Sequence, residues 1–290
     1  MVHSFDRTAL TSSKLVDELT TIASLAAAAI LAVDPATMMR RTKPDLSPVT
    51  AADEASNREI IERLSRLLPG MPIVSEESER PASLAPLTAS FALVDPLDGT
   101  REFLAGRDEF TANIALVIDG TPAVGVIAAP ALGSVWRGVV GRGAERVRLP
   151  PGARAEEARE VVAIHTRPQP AHGLVATVSR SHFDERTAAW LARLPIEAQI
   201  ACGSSLKFCQ IAEGRADLYA RLAPVHEWDI AAGHAIVTAA GGVVVTPEGK
   251  PLAYGTGDGF TVPGFLAFGD PKTAGAILAH AYRHTRRPAN

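Results

Sequence analysis

The sequence predicts a mixed α+β fold in which helices and sheets pack in layers. Two long segments near the start, 14–33 and 50–68, carry apolar residues at helical spacing. Short apolar runs then follow one another, with Asp119-Gly120 as a hairpin turn between two of them, and later runs alternate with helical segments. Hairpins give antiparallel pairs and alternation with helices favours parallel pairs, so we expect mixed sheets rather than one regular parallel sheet.

The first two predicted elements are helices. Residues 14–33 repeat apolar side chains every three or four positions. A loop punctuated by prolines follows, and Thr50 then stands as an N-cap with Asp53 three positions later, which is the spacing of a capping box. We expect the second helix to reach Leu68, because a Pro-Gly pair follows it.

The remaining elements alternate in type. We predict strands at 72–75, 91–94, 111–118, 122–129, 134–140, 174–179, 217–221 and 243–246. We predict further helices at 184–193, 204–213 and 229–240. The segment 141–172 is rich in Gly, Pro, Arg and Glu, and we interpret it as the boundary region between two halves, an α+β half at 14–160 and an α/β half at 161–286.

The composition is that of an ordinary globular chain of 290 residues, 47% hydrophobic and 21% charged. A net charge of −3 provides no basic field for a nucleic acid polymer. Cys202 and Cys209 match no zinc spacing and no disulfide framework, so we interpret them as packing residues in a reducing compartment. The longest apolar stretch, 22–33, is shorter than the roughly 20 residues that span a bilayer, and no secretory signal is evident. We expect a cytoplasmic monomer or homodimer, with peripheral contact at the inner membrane face left open.

The most informative segment is FALVDPLDGT at 91–100. We expect a buried strand to end at Asp95, because Pro96 has no N–H with which to continue the ladder. Asp98 follows, and Gly99-Thr100 opens a short helix. Two carboxylates three positions apart at a strand end can face one cation, and N–H groups at a helix start can bind a phosphate. The alternative is an ordinary turn, since Asp, Pro and Gly all favour turns.

Further acidic residues stand at the ends of predicted elements. Glu76 and Glu77 follow the strand at 72–75, although such a pair taken alone is typical of a solvated loop. Asp229 begins a helix whose first turns are Ala and Gly, which permits close packing, but it could be only the N-cap of that helix. Asp53 could likewise be only a member of its capping box.

Three motifs in this order, EE at 76–77, DPLDGT at 95–100 and WDIAAG at 228–233, resemble the lithium-sensitive, Mg²⁺-dependent phosphatases that include the inositol monophosphatases. Four further segments resemble the branch of bacterial 3′(2′),5′-bisphosphate nucleotidases: KPDLSPVTAAD (43–53), SRSH (179–182), GSSLKFC (203–209) and AEGRADLYAR (212–221). The resemblance implies a layered α/β/α/β/α fold with the active site between the two halves, most metal ligands lying in the N-terminal one.

The resemblance implies a centre of two to three Mg²⁺ ions. The implied ligands of the first ion are the carboxylates of Glu76 and Asp95 and the main-chain carbonyl of Leu97. The second ion would be held by the carboxylates of Asp95, Asp98 and Asp229, and a weaker third by Glu76 and, through water, Asp53. Such ligands suit Mg²⁺, which prefers oxygen donors in octahedral geometry. Converging carboxylates would repel one another without cations, so the pattern itself favours metal binding.

The implied mechanism is direct attack by a metal-bound water, without a phosphoenzyme. Thr100 would orient that water, and Glu76 or Asp53 would accept its proton. The amides of Gly99 and Thr100 would hold the phosphate oxygens. Asp229 would also guide the leaving hydroxyl.

The implied substrate is adenosine 3′,5′-bisphosphate, hydrolysed to AMP and phosphate, with a role in sulfur assimilation. The residues implied to contact it are Leu97, Asp98, Gly99, Thr100, His182, Ser204, Lys207, Arg221 and Asp229. Lys207 and Arg221 would bind the second phosphate, which the metals do not neutralise. Either cation could instead be a surface charge, and His182 a turn residue. An inositol- or sugar-phosphate phosphatase with the same metals, and an inactive metal- or nucleotide-binding module, stay open as alternatives.

Overall fold

Helices and strands occupy most of the chain in the computed structural model, which describes residues 5–34, 40–42, 48–77, 90–181, 184–256 and 258–285. Within these ranges the α-helices are α1 (Arg7–Leu10), α2 (Ser13–Leu31), α3 (Ala51–Leu67), α4 (Thr100–Leu104), α5 (Glu185–Leu191), α6 (Leu206–Ala212), α7 (Glu227–Ala239) and α8 (Pro271–Thr285). Three short 3₁₀ helices cover Pro130–Leu132, Ala155–Glu157 and Asp258–Phe260. The strands are β1 (Arg40–Thr42), β2 (Pro48–Thr50), β3 (Ile73–Ser75), β4 (Phe91–Asp98), β5 (Thr111–Ile118), β6 (Thr121–Ala129), β7 (Ser134–Val139), β8 (Gly143–Arg148), β9 (Arg159–Ile164), β10 (Leu174–Ser179), β11 (Ile196–Cys202), β12 (Leu218–Arg221), β13 (Val225–His226), β14 (Val243–Val245), β15 (Thr261–Val262) and β16 (Phe265–Phe268).

These elements form five layers around two main sheets. Helices α2 and α3 pack together on one face of a seven-stranded sheet, and α6 and α7 lie between that sheet and a five-stranded one. Helices α5 and α8 contact strands of the second sheet and share its outer apolar cluster. Three apolar cores fill the four interfaces between layers, and one of them covers both sides of the middle helices. The arrangement confirms the predicted layered α+β fold.

The larger sheet has the strand order β3-β4-β5-β6-β7-β8-β9, and only β3 and β4 pair in parallel. Its strands are apolar at successive positions because both faces of the sheet are covered. In β5, for example, Ile114 and Leu116 belong to the core under α2, whereas Ala115 and Val117 belong to the core under α7. The two residues between β5 and β6, Asp119 and Gly120, both have positive φ, as the predicted tight hairpin requires.

The smaller sheet has the order β11-β10-β12-β16-β14 and mixes both pairings. Strands β10, β11 and β12 are parallel, whereas β12, β16 and β14 are antiparallel neighbours. Because the carboxyl ends of the three parallel strands meet at one edge, Ser179, Cys202 and Arg221 end their strands on the same side of the sheet. This edge faces the end of β4 in the larger sheet across a cleft.

Helix α7 packs very closely against its neighbours because glycines lie at the contacts. A Cβ atom on Gly125 of β6 would stand 2.2 Å from the carbonyl oxygen of Ala232 in α7. A Cβ atom on Gly233 would stand 2.2 Å from the ring of Phe208 in α6. Both glycines therefore set the distance at which the middle helices pack, and with it the position of the start of α7.

The predicted helices and strands are confirmed, most of them to within one or two residues at each end. The boundary segment 141–172 was wrongly left without strands, since β8 and β9 lie in it and extend the larger sheet. Strand β8 (GAERVR) mixes polar and apolar residues and β9 (REVVAI) is exposed along five of its six residues, so no apolar alternation marks them. Cys202 and Cys209 are buried free thiols, in line with a packing role. In the described part of the chain no helix is long and apolar enough to cross a membrane.

Candidate active site

The central peptide of the site is the end of β4. The expectation that Pro96 ends this strand is wrong, because β4 continues to Asp98 through an irregularity in its pairing with β5. The missing N–H of Pro96 falls within that irregularity, and its carbonyl instead accepts a hydrogen bond from Ser56 Oγ at 2.6 Å. Gly99 then has φ +90, which turns the chain into the short helix α4.

Three carboxylates converge beside this strand end. Glu76, Asp95 and Asp229 each place one oxygen so that all three oxygens lie within 4.8 Å of one another, an arrangement that could hold a metal ion. Glu76 and Asp95 are neighbours because β3 and β4 are parallel, and the Glu76 N–H donates to the carbonyl of Val94 at 3.1 Å. The elements therefore bring together acidic residues that are far apart in the sequence.

Asp229 enters from the first turn of α7. This helix begins at Glu227 and has His226 as its N-cap, so the alternative that Asp229 is the N-cap is wrong. Asp229 is the third helical residue, and its Oδ2 accepts the His226 N–H at 3.1 Å. The position still suits a carboxylate, because the free N–H groups of a helix start favour negative charge.

Asp98 lies next to this group and is held by two residues that the sequence did not point to. Ser205 Oγ donates to Asp98 Oδ2 at 2.7 Å, and Asn113 Nδ2 lies 3.5 Å from the same oxygen. Asn113 also donates to Ser205 Oγ at 2.9 Å, and that hydroxyl lies 3.1 Å from the main-chain oxygen of Asp229. The GSS motif was interpreted through Ser204 alone, and no pattern links Asn113 to it.

Asp53 completes the predicted capping box and also contacts the site through Thr100. One oxygen completes the capping box, accepting from the Thr50 N–H at 2.9 Å and from the Thr50 hydroxyl at 2.6 Å. The other oxygen lies 3.1 Å from the hydroxyl of Thr100. That hydroxyl is also 3.1 Å from the carbonyl of Leu97, so Thr100 connects Asp53 to the end of β4.

The electrostatics of the carboxylates reflect their crowding. Burial, followed by the charges of Glu76, Asp98 and Asp229, raises the pKa of Asp95 well above its ordinary value. Burial and the neighbouring carboxylates also raise the pKa of Asp229 to about 7, although the charge of Arg221 opposes that shift. Burial raises the pKa of Asp53 as well, against the hydrogen bonds from Thr50. A cation in this place would relieve the repulsion that these shifts report.

The cleft beside the carboxylates has a volume of about 470 Å³ and is lined by residues from both sheets. Three cationic side chains line it, the exposed Arg101 and the more buried Lys207 and Arg221. Lys207 is only 4% exposed, and Arg221 buries an Nε atom that has no hydrogen-bond partner among the described residues. Of the other predicted substrate residues, Leu97, Gly99, Thr100 and Ser204 line the cleft, whereas His182 lies outside the described residues. The interpretation of both cations as surface charges is therefore wrong for Lys207, and for Arg221 it does not fit the buried Nε.

Comparison with known proteins assigns this arrangement to a family. The model of the inositol monophosphatase family matches residues 14–286. The chain belongs to that family. The 3′(2′),5′-bisphosphate nucleotidase CysQ of Escherichia coli (strain K12) is 40% identical to it over 224 residues, 77% of this chain and 86% of that protein. The crystal structure of CysQ from Bacteroides thetaiotaomicron has a TM-score of 0.74 and 30% identity, covering 90% of this chain and 98% of that one.

The inositol monophosphatase family contains relatives with other names as well. A histidinol-phosphatase of Mycobacterium tuberculosis (strain ATCC 25618 / H37Rv) is 34% identical over 220 residues, 74% of this chain and 80% of that protein. Members of the family are Mg²⁺-dependent phosphatases, and the acidic cluster of Glu76, Asp95 and Asp229 is compatible with that requirement. Its donor set fits Mg²⁺, since it consists of hard carboxylate oxygens without Cys or His.

Proposed function

We propose that this protein is a Mg²⁺-dependent phosphatase that hydrolyses the 3′-phosphate of adenosine 3′,5′-bisphosphate to give AMP and phosphate. The observation that carries the proposal is one cleft with carboxylates at one side and two buried or half-buried cations, Lys207 and Arg221, at the other. A bisphosphate needs both features, one for each phosphate. The relatives named as bisphosphate nucleotidases, at about 40% identity over most of the chain, support the same substrate class.

The carboxylates would hold two to three Mg²⁺ ions. Glu76, Asp95 and the carbonyl of Leu97 would bind one ion, and Asp95 would share a second ion with Asp98 and Asp229. A third, weaker ion would lie near Glu76 and, through water, Asp53. The mutual distances within the acidic cluster and the raised pKa values of Asp95 and Asp229 support this assignment. Bound Mg²⁺ would supply the positive charge that activates water and stabilises the phosphate in transit.

Residues of the chain would then position the water and move its proton. The Thr100 hydroxyl lies between an Asp53 oxygen and the Leu97 carbonyl, and a hydroxyl can donate to only one of them at a time. It can therefore accept a hydrogen bond from an attacking water while it remains fixed. As the new O–P bond forms and the bond to the 3′ oxygen breaks, Asp53 or Glu76 would take the proton of the water. The leaving 3′ oxygen, guided by Asp229, would take up a proton from solvent to become the hydroxyl of AMP.

The second phosphate would lie between Lys207 and Arg221. Arg221 Nη2 makes one long contact, 3.4 Å from the carbonyl of Pro224, and its Nε has no partner in the described structure, so the guanidinium retains donors for an anion. Its charge also opposes the rise in the pKa of Asp229, and both residues line the cleft. The guanidinium fork suits a phosphate group.

One experiment tests both the reaction and the substrate. We would measure Mg²⁺-dependent phosphate release from adenosine 3′,5′-bisphosphate and from inositol 1-phosphate. The proteins compared are the wild type, Asp98→Asn, Arg221→Ala and the control Asp270→Asn. Asp270 is a suitable control because its carboxylate caps α8 away from the cleft. Asp98→Asn is expected to lose roughly 10³-fold in rate on any good substrate. Arg221→Ala is expected to lose turnover of the bisphosphate selectively.

Several outcomes contradict the proposal. Absence of Mg²⁺-dependent phosphate release from every substrate would instead indicate an inactive binding module. A wild-type preference for inositol 1-phosphate, unchanged by Arg221→Ala, would indicate the phosphatase alternative with the same metals. Histidinol phosphate belongs in the panel because one relative carries that activity in its name.

A further inference from the structure

The turn between β11 and α6, residues 202–205, is fixed by a carboxylate that does not line the cleft. Glu109 Oε2 accepts the Gly203 N–H at 2.8 Å. The same carboxylate binds Arg180 through both oxygens, with Nε–Oε2 and Nη2–Oε1 distances of 2.7 Å each. Arg180 follows β10 and also donates to the carbonyl of Ala201 at 2.6 Å. Glu109 therefore ties the loop before β5 of the larger sheet to two strand ends of the smaller sheet.

The turn packs closely against the segment that carries Glu102 and Glu109. A Cβ atom on Gly203 would stand 2.7 Å from both Glu102 Cγ and the main-chain oxygen of Glu109. The next residue, Ser204, has φ +48, a left-handed conformation that costs a serine roughly 1–2 kcal/mol. Such strain persists only where the surroundings hold the chain in place. The contacts of Glu109 supply part of that restraint.

The same turn positions the ammonium group of Lys207. Lys207 Nζ donates to the carbonyl of Cys202 at 3.3 Å and also to the carbonyl of Ser204. These two carbonyls flank Gly203, whose N–H is the one held by Glu109. The ammonium also lies 5.2 Å from the ring centre of Tyr219, so it is confined on a second side. A shift of the turn would therefore move the charge that faces the cleft.

The side of the site that carries the metal ligands depends less on Glu109. Ser205, which binds Asp98, has anchors of its own in Asn113 and in the main-chain oxygen of Asp229. Loss of the Glu109 contact would thus displace Lys207 more than it would displace Asp98. The two functions of the cleft, metal binding and recognition of a second anion, can be separated at this turn.

We propose that Glu109, paired with Arg180, is a positioning residue that sets selectivity for bisphosphates over monophosphates by fixing the turn that places Lys207. The inference rests on the proposed function, because it assigns Lys207 to the second phosphate. The hydrogen bonds of Arg180 hold the pKa of Glu109 below its ordinary value, so the carboxylate stays charged at neutral pH.

The test compares kcat and KM for adenosine 3′,5′-bisphosphate and adenosine 3′-monophosphate, which differ only in the phosphate that Lys207 would bind. Glu109→Ala is expected to lower the ratio of the two kcat/KM values about tenfold, the effect of one charge-assisted hydrogen bond. The loss should appear as a raised KM for the bisphosphate, with kcat changed less than about threefold. Glu109→Gln should lose less, since its amide oxygen can still accept the Gly203 N–H. Arg180→Lys, which keeps the charge but not the fork, should also be intermediate.

Asp217 provides a matched control. It binds Arg167 through both oxygens at 2.7 and 2.8 Å and accepts the Val175 N–H at 2.8 Å, but it does not line the cleft. Asp217→Asn should lower the thermal unfolding midpoint and leave the substrate ratio unchanged. If Glu109→Ala fails to fold, Glu109→Gln and Arg180→Lys decide the question.

The possible results separate the two claims. If folded Glu109→Gln and Arg180→Lys both keep the full wild-type preference for the bisphosphate, the role of Glu109 is overturned and the proposed function is left intact. A wild type that releases phosphate from both substrates equally well would overturn the proposed function itself. A loss of kcat alone, equal for both substrates, would show that the pair supports the reaction centre rather than selectivity.

Discussion

Ser205→Ala should weaken the use of Mg²⁺ by this protein, although Ser205 is not one of the proposed metal ligands. The serine hydroxyl lies 2.7 Å from Asp98 Oδ2 and is the shortest contact of that carboxylate in the described structure. A hydrogen bond to a charged group contributes about 1.5–3 kcal/mol, which corresponds to roughly 10- to 150-fold in an equilibrium constant. Asn113 Nδ2, at 3.5 Å from the same oxygen, remains available to the carboxylate. We therefore expect the lower part of that range.

The assay is the rate of phosphate release as a function of Mg²⁺ concentration at saturating substrate. The Mg²⁺ concentration at half-maximal rate should rise about tenfold in Ser205→Ala. In other proteins, loss of a residue that hydrogen-bonds to a metal ligand lowers metal affinity by a similar factor. Ser24→Ala is the matched control, because Ser24 is equally buried and its hydroxyl donates to the carbonyl of Pro150, remote from the cleft. An unchanged Mg²⁺ dependence in a folded Ser205→Ala protein would refute the claim that this hydroxyl orients Asp98.

Two further predictions concern stability. Gly125→Ala should lower the free energy of unfolding by about 3 kcal/mol or more in denaturant titration, since the new Cβ would stand 2.2 Å from the Ala232 oxygen. Gly275→Ala is the control, because a Cβ there has nothing within 4 Å, and it should be neutral or stabilising. Burial lowers the pKa of His234 from 6.5 to about 4, so the unfolded chain takes up a proton below pH 6.5 that the folded protein binds only near pH 4. The contribution of neutral His234 to the free energy of unfolding, up to about 3 kcal/mol, is thus complete above pH 6.5 and is lost as the pH falls towards 4. The variant His234→Gln can still pair with Tyr254. It should lose less stability than the wild type between pH 7 and pH 5 when unfolding is measured at both values. Equal pH dependence in both proteins would contradict this assignment.

The acidic residues of the site could be predicted because each lies at the end of an apolar strand or at the start of a helix, positions that can be recognised in a sequence. Asp95 and Asp98 follow an apolar run, and Glu76 follows another. Asp229 lies in the first turn of a helix rich in Ala and Gly, which is the composition that the close contact of α7 with β6 requires. The mixture of sheets and helices could be predicted because hairpin turns and helical segments both leave a pattern in the sequence, whereas the order of the layers came from the family resemblance.

The hydrogen bonds behind these residues could not be predicted, because each joins segments that are distant in the chain. Asn113 is one polar position in an apolar strand, and Ser205 is the second serine of an ordinary loop motif. Only the packing of β5 against the turn before α6 brings them to Asp98. The continuation of β4 past Pro96 was missed for a different reason: the rule that proline ends a ladder does not apply where the pairing is already irregular.

Ser205 and Lys207, two positions apart at the start of α6, face opposite sides of the cleft. Lys207 is held by the carbonyls of Cys202 and Ser204, and Ser205 reaches Asp98 and the main chain of Asp229. A single short turn therefore fixes the distance between Lys207, which we propose binds the second phosphate, and Asp98, a proposed metal ligand. Under the proposed function that distance must match the separation of two phosphates on one sugar, so selectivity requires a rigid turn, and the left-handed conformation of Ser204 is part of that turn.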